Sequence, residues 1–358
     1  MEVIIVSPSL DPTQNVSGIS SVTQFIITNN LSQHYIHFEL GRKDNEKGGI
    51  CRAKNIINSL LLWYKMLKKY PEAIIHYNFP LSKLSILRDP LFIMLAQWKK
   101  RKMIIHIHGG AFLTATYIPK YLRIILNCIF SLEVPFIVLS SLEKKLLLDK
   151  FHCHRVYVLP NCVDLNDAAI YHRDFSQGRR PLVLGYLGRI AETKGMDYLL
   201  EACHEMKQHG FPFILKIAGK EEIEGQYLFR FQEELEDSFV YEGVVSGNSK
   251  KDFLKGLDLF ILPSFFEGLP MSLIESMSYG VIPVATNVGS IGEVIEDCEN
   301  GLFIKRRNAK SIVEQCYRID KDRKLFELLS QKAKDTIFEK FVPQNYIDNL
   351  NSIYADLH

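Results

Sequence analysis

The sequence has few cysteines, only two tryptophans, no long apolar run and almost no net charge. Its seven cysteines are scattered and include no Cys-x-x-Cys pair, which excludes a disulfide framework and is typical of reduced cytosolic thiols. A formal net charge of +2 argues against a dedicated nucleic-acid-binding protein. Hydrophobic residues make up 47% of the 358 residues, which is enough apolar material for a core in each of two domains.

No segment has the pattern of a signal peptide or a membrane span. The N-terminus lacks a basic region, and Pro8 ends its apolar run early. The most apolar later stretch, residues 122–142, is interrupted by Arg123 and Glu133. We therefore expect a cytoplasmic protein, or one that is peripheral on the inner face of a membrane.

No cluster of residues predicts a metal site. His152, Cys153 and His154 are adjacent, but neighbouring residues on a strand point to opposite faces, and no matching ligand pair stands out elsewhere. Asp320 and Asp322 form the only Asp-x-Asp pair, in a charged helical stretch without a preceding strand. We interpret both groups as structural or surface residues and expect neither a metal nor a cofactor.

Short apolar runs rich in β-branched residues alternate with longer helical patterns. Strands are predicted at 2–6, 35–40, 73–77, 103–107, 136–139, 156–159, 182–186, 213–218, 239–243, 257–262, 282–285 and 302–304. Helices are predicted near 18–31, 52–69, 118–131, 195–209, 225–236, 270–279 and 308–319. Strands that are apolar nearly throughout indicate parallel sheets covered on both faces, so the fold class is doubly wound α/β.

A polar stretch at 166–181 is the best candidate for a linker. It predicts two Rossmann-like domains, at 1–165 and 180–340. The closing residues 341–358 have Tyr346, Ile347, Leu350 and Tyr354 at helical spacing. We expect this last helix to cross back and pack partly on residues before 165.

The strand predicted at 182–186 is followed by Gly188, Arg189 and Lys194 before a helix begins. A glycine allows close backbone approach, and the two cations suit phosphate oxygens. The spacing is neither that of a Walker A loop nor that of a Rossmann Gly-x-Gly-x-x-Gly loop. Taken alone, an arginine and a lysine near a helix start are more often surface charges.

The strand predicted at 257–262 leads into a second polar loop, with Glu267, Gly268, Leu269 and, in the following helix, Glu275. Loop amides and a helix N-terminus form an anion site. Carboxylates beside an anion site repel phosphate unless they bind hydroxyls, which indicates a ligand with both phosphates and sugars. The alternative is a helix-capping Glu267 and a surface Glu275.

Together these features resemble the retaining GT-B glycosyltransferases of family four, or glycosyl transferases group 1. Gly188-Arg189 with Lys194-Gly195 matches the family pattern Gly-Arg-x-x-x-x-Lys-Gly, and Glu267 with Glu275 matches its spaced glutamate pair. Segments resembling other family motifs lie at 159–164, 288–293 and 300–302. The resemblance implies two Rossmann-like domains facing across a cleft, with residues before 165 on the acceptor side.

The resemblance also assigns roles in the second half. Arg189 and Lys194 are expected to bind the donor diphosphate and to neutralise the leaving charge, so that no metal is needed. Glu267 is expected to bind donor-sugar hydroxyls and Glu275 the ribose.

The backbone of the same loops is expected to contribute as well. The donor site would also include Gly188, Gly268 and Leu269, with Val244 near the base. Cys162 stands where the family has a glycine, and the loop at Gly219 lacks the second glycine usual in the family. These departures bear on how the nucleotide base is bound more than on the four charged donor-site residues.

In the first half, His108 follows a predicted strand and precedes two glycines. It resembles the family histidine that contacts the donor sugar near the phosphate. His106 would lie deeper and is expected to be structural. Gly18 resembles the first glycine loop of the family, although a simple helix start capped by Ser17 explains it nearly as well.

Charge is unevenly distributed between the two halves. Residues 1–170 contain 20 Lys and Arg against 12 Asp and Glu, whereas the remainder contains 23 against 29. Basic residues concentrate at Lys65, Lys69 and 99–102, with Trp63 nearby. A basic amphipathic helix with a tryptophan is typical of contact with an anionic membrane. A sheet-covering helix with an ordinary solvated face is the alternative.

The leading hypothesis is a retaining hexosyltransferase that uses a nucleotide-diphosphate sugar, a UDP-sugar in preference to a GDP-sugar. Its partners would be the nucleotide sugar and a glycan or lipid-linked acceptor, as in bacterial surface-polysaccharide assembly. A nucleotide-sugar epimerase on the same fold and a non-catalytic sugar-nucleotide binder are the alternatives. Incubation with donor alone separates the epimerase from the transferase.

Overall fold

The computed structural model describes residues 1–11, 14–15, 17–41, 50–115, 117–176 and 180–357, with the backbone alone at 50–53, 111 and 114. Residues 177–179 of the expected linker lie outside this description. The chain divides into two compact units. Unit 1 comprises Met1–Cys162 and Pro343–His358, and unit 2 comprises Val163–Val342.

Strands and helices alternate along the chain. The strands are β1 (Glu2–Ser7), β2 (His34–Glu39), β3 (Ile74–Phe79), β4 (Met103–Ile107), β5 (Phe136–Val138), β6 (Val156–Val158), β7 (Leu182–Leu187), β8 (Phe213–Ala218), β9 (Phe239–Gly243), β10 (Leu259–Leu262), β11 (Ile282–Thr286) and β12 (Leu302–Ile304). The helices are α1 (Gly18–Asn29), α2 (Ile50–Lys69), α3 (Lys83–Trp98), α4 (Ala111–Thr114), α5 (Lys120–Phe130), α6 (Ser141–Phe151), α7 (Asn166–Ile170), α8 (Met196–Gln208), α9 (Leu228–Leu235), α10 (Gly247–Lys255), α11 (Met271–Ser278), α12 (Ala309–Lys321), α13 (Arg323–Lys340) and α14 (Pro343–Ala355). None of these helices, as far as the described residues extend, has the length and apolar composition needed to cross a membrane.

Unit 1 is built on a six-stranded parallel sheet in the order β2-β1-β3-β4-β5-β6. Every residue of β3 and β4 is buried, which explains why the polar pattern of a half-exposed strand is missing from both. Ser17, Ser82 and Ser140 cap the helices α1, α3 and α6, each accepting a hydrogen bond from a backbone N–H at the helix start.

The closing helix α14 is part of unit 1. Tyr354 is fully buried, and its hydroxyl lies 2.6 Å from Nδ1 of His76 on β3. The ring of Tyr346 meets Phe25 of α1 edge-on, with ring centroids 5.9 Å apart. Asn30 at the end of α1 donates to Oδ1 of Asn351 at 2.9 Å. The buried side of α14 therefore completes the core over β3 and α1.

Unit 2 has a second six-stranded parallel sheet in the order β12-β11-β10-β7-β8-β9. The chain runs outward from β7 to β9 on one side and from β10 to β12 on the other. The order reverses between β7 and β10, so loops after these two strands diverge and leave a crevice at their carboxyl ends. Both sheets are parallel and doubly wound, which confirms the predicted fold class.

Candidate active site

The two polar loops singled out in the sequence follow the two strands on either side of this reversal. Gly188 comes directly after β7, and Ser264 lies two residues beyond the end of β10. The backbone N–H of Phe265 donates to the carbonyl of Thr193 at 2.9 Å, which joins the two loops. The two loops therefore meet at the reversal of strand order, which is where open α/β sheets bind ligands.

Lys194 and Glu267 are in direct contact across the crevice. The ammonium Nζ of Lys194 lies 2.6 Å from Oε1 of Glu267, and Ser264 Oγ donates to the same oxygen at 2.6 Å. Glu267 is 8% exposed, so its charge is largely removed from water. A buried carboxylate needs such partners, since desolvating a charge without compensation costs several kcal/mol.

Arg189 is held differently. Its side chain is 56% exposed, and its closest acidic partner, Glu222, is half-exposed with a separation of 3.7 Å. That separation is too long for a hydrogen bond, and an exposed pair of this kind contributes little to stability. The Tyr186 hydroxyl donates to the carbonyl of Arg189 at 2.6 Å, which fixes the backbone while the guanidinium remains accessible.

Two glycines allow these loops to approach so closely. Gly195 has φ +76°, and a Cβ there would lie 2.2 Å from the carbonyl oxygen of Pro263. Gly289 has φ +57°, and a Cβ there would lie 1.8 Å from the carbonyl oxygen of Glu267. Any larger residue at either position would push the loop away.

The remaining donor-site candidates of unit 2 lie on α11, in the loop before it and after β9. Glu275 lies on α11, and Lys250 Nζ is 2.6 Å from its Oε1. Gly268 is half-buried and Leu269 is buried. Val244 follows β9 and is exposed. Glu275 thus has an ion-pair partner of its own and does not share the Lys194–Glu267 pair.

Helix α11 begins one residue later than the sequence suggested. Pro270 is the N-cap and Met271 the first helical residue. Pro270 therefore supplies a carbonyl that accepts from the N–H groups of Leu273 and Ile274, at 3.2 and 3.4 Å. The loop from 264 to 270 ends directly on a helix N-terminus, as an anion site requires.

In unit 1, His108 lies just beyond the end of β4 and is half-buried. Its Nε2 is 2.5 Å from Oδ1 of Asn78. The Asn78 amide orientation is fixed because Nδ2 donates to the carbonyl of Val6 at 2.9 Å. Oδ1 must therefore accept, so Nε2 of His108 carries the hydrogen. Burial lowers the pKa of His108 to about 3, so the ring is neutral at pH 7 with a lone pair on Nδ1.

His106 belongs to the core beneath His108. It is fully buried, and its Nδ1 lies 3.1 Å from Nε2 of His76. Burial, together with the neighbouring histidines, holds its pKa well below the usual range. Gly18 is the first residue of α1 and is exposed, with the Ser17 side chain accepting from Ser20 N at 3.2 Å.

The positions rejected as metal ligands do not assemble into a metal site. Within the ranges that the structure describes, no group of three His, Cys, Asp or Glu residues is placed to hold a metal ion. Cys153 is buried, and its thiol donates to the carbonyl of Phe130 at 3.4 Å. His152 ends α6 with φ +56°.

Sequence reasoning missed three polar partners of the site. Ser264 follows a strand and stands three residues before Glu267, a position from which it can reach that carboxylate. Lys250 lies on α10, a helix that was not predicted. Asn78 lies on β3, next to β4, where it follows His76 and Tyr77 as a third polar side chain in a fully buried strand, and that polar run was the available signal.

Comparison with known proteins decides the family. Residues 170–336 match the family model described as glycosyl transferases group 1. Residues 170–336 therefore form a group 1 glycosyltransferase domain. This confirms the family and the enzyme class expected from the sequence motifs.

Relatives of this glycosyltransferase differ in how much they share with it. It is 23% identical over 329 residues to an Escherichia coli UDP-Gal:alpha-D-GlcNAc-diphosphoundecaprenol alpha-1,3-galactosyltransferase, covering 86% of the chain and 82% of that protein. It is 27% identical over 183 residues to the putative colanic acid biosynthesis glycosyltransferase WcaL of Salmonella typhimurium, covering 48% and 45%.

Solved structures of the same fold cover the whole glycosyltransferase. Sucrose-phosphate synthase of Thermosynechococcus elongatus has a TM-score of 0.78 at 16% identity, covering 99% of this chain and 98% of that one. Anabaena Alr3699/HepE in complex with UDP-glucose has a TM-score of 0.75 at 13% identity, covering 99% and 100%. These likenesses confirm the GT-B fold.

Proposed function

We propose that this glycosyltransferase moves a hexose from a UDP-sugar to a glycan or lipid-linked acceptor, with retention at the anomeric carbon, in bacterial surface-polysaccharide assembly. The names of its relatives support this proposal. The Escherichia coli relative uses UDP-Gal and a diphosphoundecaprenol-linked sugar, and HepE was solved with UDP-glucose. The contact between Lys194 and Glu267 at the strand reversal of unit 2 is the observation that carries the proposal.

This contact gives each side chain a defined part in donor binding. Lys194 is fixed by Glu267 and, together with the exposed Arg189, supplies two positive charges for the diphosphate. Both the Lys194 and the Ser264 contacts fall on Oε1 of Glu267. In the described part of the chain no hydrogen bond is formed by Oε2, so this oxygen is assigned to the donor-sugar hydroxyls. Gly188, Gly268 and Leu269 provide the surrounding backbone.

The ribose and the base are assigned to neighbouring residues. Glu275 accepts from the ribose hydroxyls, with Lys250 holding its carboxylate in place. Val244 packs near the base. A UDP-sugar is preferred because the related proteins named above use or bind uridine nucleotides.

The chemistry follows from the distribution of charge. As the bond from the anomeric carbon to the diphosphate breaks, negative charge grows on the leaving oxygen. Arg189 and Lys194 stabilise that charge more strongly than they stabilise the intact donor. The departing phosphate oxygen takes the proton of the acceptor hydroxyl, which attacks from the same face. Neutral His108, with its lone pair on Nδ1, is assigned to a hydroxyl of the donor sugar and Gly18 to the donor phosphates.

The test uses purified protein with a panel of UDP- and GDP-sugars, with and without undecaprenyl-diphosphate-linked sugar acceptors. We expect transfer of sugar from one UDP-sugar and an NMR coupling constant in the product that shows retention. Arg189→Ala should abolish most transfer, whereas Arg318→Ala, which removes an exposed charge on α12, should not. Product with inverted configuration, or equal rates in both variants, would overturn the assignment.

A further inference from the structure

Unit 1 carries a broad apolar surface, here called the apolar face. It is formed by large hydrophobic side chains that are all exposed on α2, α3 and α5 or just before α5. They are Ile57, Leu61, Leu62, Leu84, Leu87, Leu91, Met94, Trp98, Tyr117, Tyr121 and Ile124. Helix α3 packs against both α2 and α5, so the three helices lie side by side.

The exposed side chains are not scattered. On α3 they recur at steps of three, four, three and four residues from Leu84 to Trp98, which places them in one stripe along the helix. The opposite side of the same helices is already occupied by core residues, such as Trp63 and Phe92. These helices are therefore apolar on two sides. Folded monomers rarely leave so many large apolar side chains together in water, and such patches mark interaction surfaces.

The charge around the apolar face has one sign. Residues 50–131 contain 13 Lys and Arg but only two Asp and Glu. One of those two acids, Asp89, is fully buried beside Arg88. The surface that borders the apolar side chains is therefore strongly positive. Such a combination fits a partner that is apolar within and negatively charged at its edge.

Aromatic rings and lysines meet at one end of the apolar face. Nζ of Lys99 lies 4.4 Å from the ring centroid of Trp98 and 5.0 Å from that of Tyr64, and Nζ of Lys68 lies 4.7 Å from Tyr64. Trp98 is 70% exposed. Tryptophan and tyrosine favour the headgroup level of a bilayer, and lysines extend from there to anionic headgroups.

We propose that the apolar face docks unit 1 onto an anionic lipid bilayer. The apolar stripes enter the headgroup boundary, and the surrounding lysines bind acidic headgroups. Trp98 lies at the headgroup level and reports on docking by its fluorescence. Trp63, the tryptophan considered for membrane contact from the sequence, is fully buried and donates its indole N–H to the carbonyl of Phe92 at 3.0 Å. This inference goes beyond the transfer reaction, because docking needs neither donor nor acceptor.

The two tryptophans make the test direct, since only Trp98 is exposed. Full-length protein is titrated with vesicles of phosphatidylcholine containing 30 mol% phosphatidylglycerol, and separately with pure phosphatidylcholine. We expect a blue shift of tryptophan emission and quenching by brominated lipid with the anionic vesicles, and neither effect with the neutral ones. Trp98→Phe should retain binding in a sedimentation assay but lose the blue shift. Failure of the wild type to bind anionic vesicles would overturn the proposal.

Matched variants separate the apolar face from general charge. Lys65→Gln/Lys68→Gln/Lys99→Gln should weaken partitioning roughly a hundredfold. The control Lys310→Gln/Lys324→Gln/Lys332→Gln removes three exposed lysines from unit 2 and should bind as the wild type does. Equal loss in both triple variants would overturn the assignment to the apolar face.

Apolar variants complete the test. Leu87→Ser/Leu91→Ser should abolish the blue shift, whereas Leu328→Ser, at an exposed apolar residue of unit 2, should not. Circular dichroism verifies the fold of each variant. Sedimentation velocity without lipid tests whether a second copy of the chain covers the apolar face instead. Wild type that is dimeric, with Leu87→Ser/Leu91→Ser monomeric, would show a second copy on this surface and would also overturn lipid docking. Inactivity towards every sugar donor would leave these lipid measurements unaffected.

Discussion

Arg189 and Lys194 were assigned the same role, but the structure predicts that their removal has different consequences for stability. Arg189 is mostly exposed, with its carboxylate neighbour 3.7 Å away, whereas Lys194 is a direct partner of Glu267, which is 8% exposed. We therefore expect Arg189→Ala to be a pure activity variant. Lys194→Ala should reduce both activity and the free energy of unfolding.

The magnitudes follow from burial. Loss of an exposed and distant ion pair changes the free energy of unfolding by less than about 0.5 kcal/mol. Loss of Lys194 leaves the Glu267 carboxylate with Ser264 as its remaining partner, which costs about 1–3 kcal/mol. Each variant also loses a charge-assisted contact with the donor diphosphate, worth about 1.5–3 kcal/mol, or roughly 10- to 150-fold in kcat/KM.

The assay is a double-mutant cycle. Urea unfolding and transfer rates are measured for the wild type, Lys194→Ala, Glu267→Gln and the double variant. Because Glu267→Gln removes the charge left unpaired, the double variant should be more stable than Lys194→Ala, while its transfer stays low. Arg189→Ala is measured beside them as the variant that should lose transfer activity without a change in the free energy of unfolding. If Lys194→Ala unfolds at the wild-type urea concentration, the contact seen in the structure does not stabilise the site.

Three further outcomes are expected. Transfer should persist in excess EDTA, and complete loss restored by manganese would refute metal independence. Gly289→Ala, which places a Cβ 1.8 Å from the Glu267 carbonyl oxygen, should lower both Tm and donor affinity measured by calorimetry; wild-type values would contradict the loop packing. Burial lowers the pKa of His76 and of His108 to about 3. The unfolded chain therefore binds more protons below about pH 6.5, so stability is retained above that pH and is lost as the pH falls, by at most about 2 kcal/mol per histidine at pH 5. A stability that is equal at pH 8 and pH 5 would refute this.

The strands could be predicted from the sequence because burial on both faces leaves an apolar run with clear ends. All twelve lie within two residues of the expected positions. Several helices could not be predicted. Helix α3 contains Pro90, a residue that normally ends or kinks a helix. It is also apolar on two sides, so its sequence lacks the single apolar stripe of an ordinary surface helix. Helices α6, α10 and α13 were also missed, and with α10 the residue Lys250.

The site was predictable only in part. Spacing along the chain located Arg189, Lys194 and Glu267 in loops that follow strands, and Glu275 in the helix after the second loop. Parallel strands bring their carboxyl ends, and therefore these loops, to one edge of the sheet. It did not show that Lys194 binds Glu267 while Arg189 stays accessible, since that depends on side-chain reach across the strand reversal. Trp63 shows the same limit, because its burial depends on how α2 packs against α3.

The position of α14 has a consequence for synthesis of the chain on the ribosome. Unit 1 contains the first 162 residues and the last helix, with all of unit 2 between them. At about 5–20 residues per second, roughly 10–40 s pass between completion of Cys162 and completion of Ala355. During that interval the surface that receives Tyr346 and Tyr354, around Phe25 and His76, has no cover. The first unit is therefore expected to reach its final fold only once α14 has emerged, whereas unit 2 is contiguous and can fold as it emerges.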